Sequence, residues 1–269
     1  MIYAFVTIED MQSLSQKSLI VFDLDGTLTE SKASLTPDMS RALATLLAQK
    51  KVAVIGGGSY EQFTGQFVKQ LRCPPALLDN LFLFPTTSTS FYRYRQDKWK
   101  KVYRKILKPA EKKKIMRAFE DAFEAMGYVH PKKLWGKEIE DRDSQITFSA
   151  LGQKAPVSAK MAWNKKSDVR PALMKLMQKE LPEFEVRRGG LTSIDVTQKG
   201  IDKAYGVRQI EKVLKISIKD MVFIGDALYP GGNDAAAKKT GVQTIATSGP
   251  KETIMIIKKI LSARREREK

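Results

Sequence analysis

Cysteine and histidine are almost absent from this chain: Cys73 and His130 are single occurrences. One thiol cannot close an intramolecular disulfide, and without clustered Cys or His a zinc site is excluded. This usage fits reducing surroundings. His130 stands beside Pro131 in an expected turn, so a mechanism built on a histidine base has one weak candidate. Carboxylates and lysines must carry the chemistry instead. Long apolar runs are missing as well, since nothing approaches the roughly 18 residues needed to span a membrane. Glu9 and Asp10 lie where a secretory signal would be basic. These absences point to a cytoplasmic protein with no membrane partner.

The 269 residues, 42% of them hydrophobic, suffice for one large core or two ordinary ones, and two compact units are expected. The formal charge of +17, from 47 basic and 30 acidic residues, attracts anions without naming the anion. Nucleic acid, anionic lipid and phosphorylated metabolites all satisfy it. The C-terminal run Lys258, Lys259, Arg264, Arg265, Arg267 and Lys269 reads as a solvated helix end whose cations complement the macrodipole. The first seventeen residues read as a short edge strand or a leader.

The run Leu19-Ile20-Val21-Phe22, closed by Asp23 and Gly26, suits a strand buried on both faces. Thr36-Pro37 then starts a helix with Met39, Leu43, Leu46 and Leu47 on one side. Val52 to Ile55 is a second buried strand, followed by Gly56-Gly57-Gly58-Ser59 and a helix bearing Phe63, Phe67 and Leu71. Leu81 to Phe84 and, far downstream, Met221 to Ile224 add two more strands. A parallel-sheet rhythm thus brackets the chain. Between the two ends the texture changes to Phe91-Tyr92-Arg93-Tyr94-Arg95, a polar turn and Trp99 to Tyr103, which predicts a hairpin. A helix from Pro109 to Met126, a second hairpin about Arg142-Asp143-Ser144, a helix after Ser167 and a strand from Phe184 to Val186 follow. The fold class expected is α/β, a doubly wound parallel-sheet core with an inserted α+β unit of antiparallel sheet plus helices. The division expected is core over 1–87, insertion over 88–187 and core again over 188–269.

Asp23-Leu24-Asp25-Gly26-Thr27 ends the first buried strand, and in open parallel sheets ligands bind beyond the carboxyl ends of strands. Two residues apart at a strand's end, the carboxylates are expected to do different work. One could attack phosphorus and hold a cation, and the other could move a proton. A plain Asp-Gly turn would explain the pentapeptide alone equally well. Ser59 follows three glycines that allow close backbone approach to a ligand, Gly58 next to it, and Ser59 with Gln62 also fits a capping box. Gly225-Asp226 ends another apolar strand, with Gly231-Gly232-Asn233-Asp234 after it. Magnesium prefers hard oxygen ligands, which Asp23 and Asp226 would supply. Lys199 and Lys203 each offer a neutralising cation.

DLDGT, the Ser59 loop, Lys203 and GDALYPGGND occur in the order and spacing of the four motifs of the haloacid dehalogenase superfamily. The insertion resembles that superfamily's type IIB cap, and within that branch the chain is most similar to the eukaryotic-type phosphomannomutases, from about Leu19 to Glu252. Gly189-Gly190 before Ser193-Ile194-Asp195-Val196 and Gly200-Ile201-Asp202-Lys203 belong to the likeness. The resemblance implies that Asp23 is the nucleophile, Asp25 the general acid and base, and Ser59 and Lys203 the phosphoryl binders. It implies magnesium held by Asp23, Asp226 and the Asp25 carbonyl, supported by Asn233 and Asp234. Arg142, Lys160, Ser193 and Asp195 would meet the substrate.

Arg142 matches the first of three arginines that such mutases use to bind the distal phosphate of a bisphosphorylated sugar. Gln153 stands where the second is expected, Lys160 where the third is, and Lys32 likewise replaces an arginine after the first motif. Losing a charged bidentate donor at Gln153 costs roughly 1.5–3 kcal/mol in a buried phosphate site, and lysine binds as a point charge rather than a fork. The sequence therefore reads first as a phosphatase acting on a phosphorylated sugar or similar small metabolite through an aspartyl-phosphate, and second as a phosphomannomutase. A third reading, a basic nucleic-acid binder, rests on charge and the aromatic hairpin, although such aromatics more often pack a sheet. The partner expected is a phosphorylated small molecule, not nucleic acid, and the assembly a monomer or homodimer.

Overall fold

A computed structural model describes residues 14–265 of the chain, so the expectation for the first seventeen residues lies almost wholly outside the described region. The first strands form as the apolar runs dictate. β1 (Leu19–Asp23) and β2 (Lys51–Ile55) pair in parallel, with α1 (Pro37–Leu47) between them, and Thr36 caps α1 by accepting from the Met39 N–H at 3.3 Å. α2 (Tyr60–Gln66) follows β2, shorter than the apolar spacing suggests because Phe67 closes it and a 3₁₀ turn carries Val68 to Gln70. β3 (Leu81–Phe84) adds to β2 in parallel.

Beyond β3 the chain reverses over Pro85–Ser88, where Thr86, Thr87 and Ser88 all take positive φ, and it returns antiparallel as β4 (Ser90–Arg95). β4 turns at Gln96-Asp97, both left-handed, into β5 (Lys98–Arg104). The hairpin is therefore where its alternation places it. It extends the core sheet, however, and does not belong to the inserted sheet. Phe91 is buried, stacked on Phe84 with ring centroids 4.5 Å apart and tilted against Tyr103. Those rings fill core volume, which leaves the aromatic stacking platform of the nucleic-acid reading without its central residue.

α3 (Pro109–Met126) leads into the second sheet, built from β6 (Ile139–Asp141) and β7 (Gln145–Ser149), then, after α4 (Val157–Lys166) and α5 (Arg170–Glu180), from β8 (Phe184–Arg188) and β9 (Ser193–Gln198). Its order is β6-β7-β9-β8, all antiparallel. Ile115, Phe119, Phe123, Phe148, Leu173, Met177 and Ile194 close a core of its own between sheet and helices. The sheet membership of the chain thus changes after residue 104 and changes back after residue 198, later in both cases than positions 87 and 188. Alternating polarity announces a strand but not the sheet it joins.

The chain re-enters the first layer with α6 (Lys203–Leu214), β10 (Met221–Gly225), β11 (Gln243–Ala246) and α7 (Pro250–Arg265). The large sheet reads β11-β10-β1-β2-β3-β4-β5, five parallel strands carrying an antiparallel hairpin at one edge. β1 lies between β10 and β2, with helices on both faces. Among the described residues no helix is long and apolar enough to cross a membrane.

Candidate active site

The carboxyl ends of β1, β2 and β10 converge, and with them the residues the motifs single out. Lys203, first residue of α6, donates to Asp23 at the end of β1 and to the Ile55 carbonyl at the end of β2, 3.3 Å away. Asp234 brings its Oδ1 to 3.2 Å from the same ammonium and accepts from the Ala227 N–H through Oδ2 at 3.1 Å. Asp226, just past β10, receives the Thr27 hydroxyl at 3.4 Å while its own N–H donates to that oxygen at 3.1 Å. Gly26, at φ +91°, makes this approach possible, because a Cβ there would stand 2.5 Å from Asp226 Oδ2. Lys199, the other candidate cation, is exposed and donates to the Pro182 carbonyl, away from the site.

Asp23, Asp226 and Asp234 place one oxygen each within 4.8 Å of one another. Three carboxylates against the single cation Lys203 leave two negative charges over if all are ionised. The surplus shows in the proton affinities. Burial, with Asp234 and Asp226 acting the same way, pushes Asp23 well above the usual carboxylate range despite Lys203. Burial and then Asp234 raise Asp226 to about 6. Burial opposes the charge on Lys203, but Asp23 and Asp234 outweigh it and hold its proton above the ordinary lysine range. Asp234 Oδ1 is buried without a hydrogen bond of good geometry. An excess of hard oxygen donors with an unfilled lone pair is the donor set a small divalent cation takes. The carboxylate of Asp25 is not in this group, so only its carbonyl is left as a further ligand.

Asp25 turns to different partners, as its position past the strand end predicts. It accepts from the Lys32 N–H at 2.7 Å, from the Lys32 ammonium and from Gln66 at 2.8 Å. Burial raises its proton affinity, yet the Lys32 charge and hydrogen bonds win and hold the carboxyl below its usual range. Ser59 caps α2, accepting from Gln62 N–H at 3.3 Å while its own N–H donates to Gln62 Oε1 at 2.9 Å. The hydroxyl lines an open groove on the neighbouring side and not the cavity that holds Asp23; the loop residues that do line that cavity are Gly56 and Gly57. Gly58 stays outside it too, its carbonyl tied to the Thr86 N–H at 2.8 Å, with Gly56 O tied to Thr87 N–H at 2.9 Å. The left-handed turn after β3 thereby clamps the glycine loop.

A cavity of about 260 Å³ lies between this floor and the antiparallel sheet above it. Arg142 reaches down from the upper layer to donate to the Gly57 carbonyl at 2.9 Å, and Gln145 reaches the same oxygen at 3.2 Å. Glu140 accepts from the other side of the Arg142 guanidinium at 2.8 Å. Asp195 is half-buried, accepts from the Thr147 hydroxyl at 2.8 Å and titrates above its usual range because desolvation outweighs Arg142 and Thr147. Ser193 shares a hydrogen bond of 3.1 Å with Ser149, which also receives Gln153. Asn233 lines the cavity as well. Lys160 does not; it donates to the Gln153 carbonyl at 2.9 Å in a small adjoining hollow, and burial lowers its proton affinity. Sequence reasoning missed Asn164, Arg170 and Arg188 in the cavity wall. Arg188 precedes Gly189-Gly190 directly, which was the available signal; Arg170 opens a helix like any surface arginine, and nothing in the pattern marks it as buried.

A floor of clustered aspartates with a buried lysine, roofed by an inserted antiparallel sheet, narrows the comparison with known proteins. The sequence profile described as eukaryotic phosphomannomutase matches residues 39–263. The chain belongs to the eukaryotic phosphomannomutase family. It is 26% identical over 225 residues to a phosphomannomutase of Saccharomyces cerevisiae, covering 81% of this chain and 84% of that one. The same identity holds over 258 residues of a Schizosaccharomyces pombe phosphomannomutase, covering 91% and 95%. Among solved structures, a Plasmodium falciparum IMP-nucleotidase with IMP bound superimposes with a TM-score of 0.70 at 19% identity, covering 93% of this chain and 70% of that chain. An Aspergillus fumigatus trehalose-6-phosphate phosphatase gives 0.56 at 17% identity, covering 97% and 99%. At such identities these two carry the fold alone. This member of the phosphomannomutase family is accordingly an enzyme of the haloacid dehalogenase type, with the core sheet and antiparallel cap sheet that the sequence leads one to expect.

Proposed function

We propose that the protein is a magnesium-dependent phosphohexomutase that moves a phosphoryl group between positions of a hexose phosphate through phospho-Asp23. The observation that carries this reading is the pairing, in one cavity, of the Asp23 floor with Arg142, Ser193 and Asp195 from the cap. The relatives named as phosphomannomutases favour it over the phosphatase that the sequence reading put first.

In the proposed reaction Asp23 attacks the phosphorus in line, and Lys203 neutralises the attacking carboxylate without reorganising, because it is already hydrogen bonded there. Asp25, ionised beside Lys32, takes the proton from the sugar hydroxyl that attacks phospho-Asp23 and returns it to the sugar oxygen that departs when Asp23 attacks the other phosphoryl group. Magnesium, held by Asp23 and Asp226 with Asp234 in support, would supply charge neutralisation on the phosphoryl oxygens. Gly56 and Gly57 let the backbone meet the phosphoryl group. Arg142 and Gln145, fastened to the Gly57 carbonyl, close the seam between the layers, and exclusion of water there favours return of the phosphoryl group to sugar.

One observation favours hydrolysis as the second reading. Gln153 is spent on Ser149, and Lys160 on the Gln153 carbonyl, so neither presents a charged fork to a distal phosphate. The deciding assay incubates purified protein and Asp23→Asn with magnesium and a panel of hexose phosphates, following free phosphate and isomerised sugar together. Interconversion of 1- and 6-phosphates that needs catalytic bisphosphate, lost in the variant, is the expected outcome. Phosphate release without isomerisation would make the enzyme a phosphatase, and no turnover of any sugar phosphate would sink both readings.

A further inference from the structure

Resting on the mutase reading, the roof of the cavity raises one question that family motifs leave open: what receives the second anionic group when Gln153 and Lys160 are occupied. The cations lining the cavity are Lys32, Arg142, Arg170 and Arg188. Lys32 is bound to Asp25 through both its amide and its ammonium. Arg142 divides its donors between Glu140 and the Gly57 carbonyl. Arg170, 1% exposed, is saturated, with Nε on Asp168 Oδ1 at 2.7 Å, one terminal nitrogen on the Gly190 carbonyl at 2.7 Å and the other on Asn164 and on Asp168 Oδ2 at 3.0 Å.

Arg188 differs. Its side chain is 48% exposed and a single terminal nitrogen meets a single oxygen, Asp168 Oδ2. Its Nε and its other terminal nitrogen have no acceptor among the described residues. Two guanidiniums thus share one carboxylate, and the Arg170–Asp168–Arg188 group keeps one positive charge over. Lys32 with Asp25 and Arg142 with Glu140 form ion pairs of their own. The clustered carboxylates thus lie on the floor at Asp23, and the cation with free donors lies on the wall at Arg188. Arg170 is the rigid support, since it pins Asp168 from beneath and the Gly190 carbonyl beside it.

We infer that Arg188 is a specificity-determining residue that receives the distal phosphoryl group of a doubly phosphorylated sugar, held in place by Asp168 and the buried Arg170. The terminal nitrogen bound to Asp168 keeps a second hydrogen, which together with Nε or with the other terminal nitrogen leaves one edge of the guanidinium open, and such an edge binds a phosphoryl dianion bidentately. It stands on β8, a different element from the positions of Gln153 and Lys160, and lines the same cavity as Gln153.

The test uses the full-length enzyme with magnesium and one assay, hydrolysis of p-nitrophenyl phosphate, which turns over only with its phosphoryl group at Asp23. For wild type, Arg188→Ala and Arg188→Lys, the KM for this substrate and the inhibition constant of a hexose 1,6-bisphosphate are measured together. The ratio of the two constants reports recognition of the second phosphoryl group. It is expected to fall on the order of 10- to 100-fold in Arg188→Ala, with Arg188→Lys intermediate because a point charge replaces the fork. A ratio unchanged in Arg188→Ala, whether both constants move together or neither moves, overturns the assignment to Arg188. Wild-type enzyme that hydrolyses the aryl phosphate but is not inhibited by the bisphosphate overturns the mutase reading itself, a result visible before any variant is made.

Discussion

Replacing Lys203 by methionine keeps the side chain's length and removes its charge, and the surroundings of that ammonium set the consequence. Lys203, Asp23 and Asp234 are all almost wholly buried, with the Asp234 oxygen 3.2 Å from the ammonium. Removing one partner from a buried ionic group costs about 3–5 kcal/mol, because the remaining charges lose their compensation inside the protein. For a chain of this size that corresponds to a fall in Tm of roughly 6–20 °C. The deficit is expected to depend on pH in a definite direction. Without Lys203, the folded-state proton affinity of Asp23, already raised by burial, lies still further above its unfolded value. Stability is then greatest below the unfolded carboxylate range and is lost as pH rises through the folded values. The difference between variant and wild type must therefore be larger near about pH 8 than near about pH 5. Urea unfolding without divalent cations, at both pH values, measures it directly. Adding magnesium is expected to recover part of the loss, since a cation among the same oxygens replaces the missing charge. A variant as stable as wild type at both pH values would show that the carboxylates do not crowd one another, and the description of the floor as an excess of negative charge would be wrong.

Lys32→Ala removes the charge and hydrogen bond that hold the Asp25 carboxyl low against its burial, so the acid limb of the kcat–pH profile is expected to move to higher pH. An unmoved limb would place the titrating group elsewhere. Phe91→Ala opens a cavity between Phe84 and Tyr103 in the core sheet and is expected to lower unfolding stability by about 3–5 kcal/mol; a near-neutral effect would detach the hairpin from that core. Asp226→Asn takes away one of three clustered oxygens, and the magnesium concentration giving half-maximal activity is expected to rise at least about tenfold, read from a metal titration of the steady-state rate.

The parallel half of the fold was legible because its strands are short apolar runs stopped by Asp or Gly, and because a run apolar on both faces, as β1 is, belongs inside a sheet covered on both sides. Asp23, which closes β1, Asp226, which follows β10, and Lys203, which opens α6, were legible for the same reason, since they stand at element ends that the sequence marks, and Asp234 was legible from the Gly-Gly-Asn-Asp loop. The hairpin of β4 and β5 was visible as a hairpin but not as part of the core sheet, since its partner β3 is chosen by the left-handed reversal at Thr86 to Ser88, which no composition rule forecasts. Ser59 satisfied two patterns at once, and the structure places its hydroxyl on the helix cap. Arg170 and Arg188 stayed hidden because their importance comes from a shared Asp168, a tertiary fact with no period in the sequence.

The antiparallel layer joins the rest of the molecule through only two stretches of chain, 105–108 and 199–202, and Gln198 at the second meets Glu111 just beyond the first at 3.2 Å. A body tethered at two neighbouring points keeps a single easy rotation, about the line through them. In that sense the antiparallel layer is hung like a door, latched by a row of contacts: the Gly57 carbonyl gripped by Arg142 and Gln145, Ser144 against Thr89, and Asp143 against Arg104. Parting the layers breaks these contacts together, and none of them touches Asp23, Asp226 or Asp234.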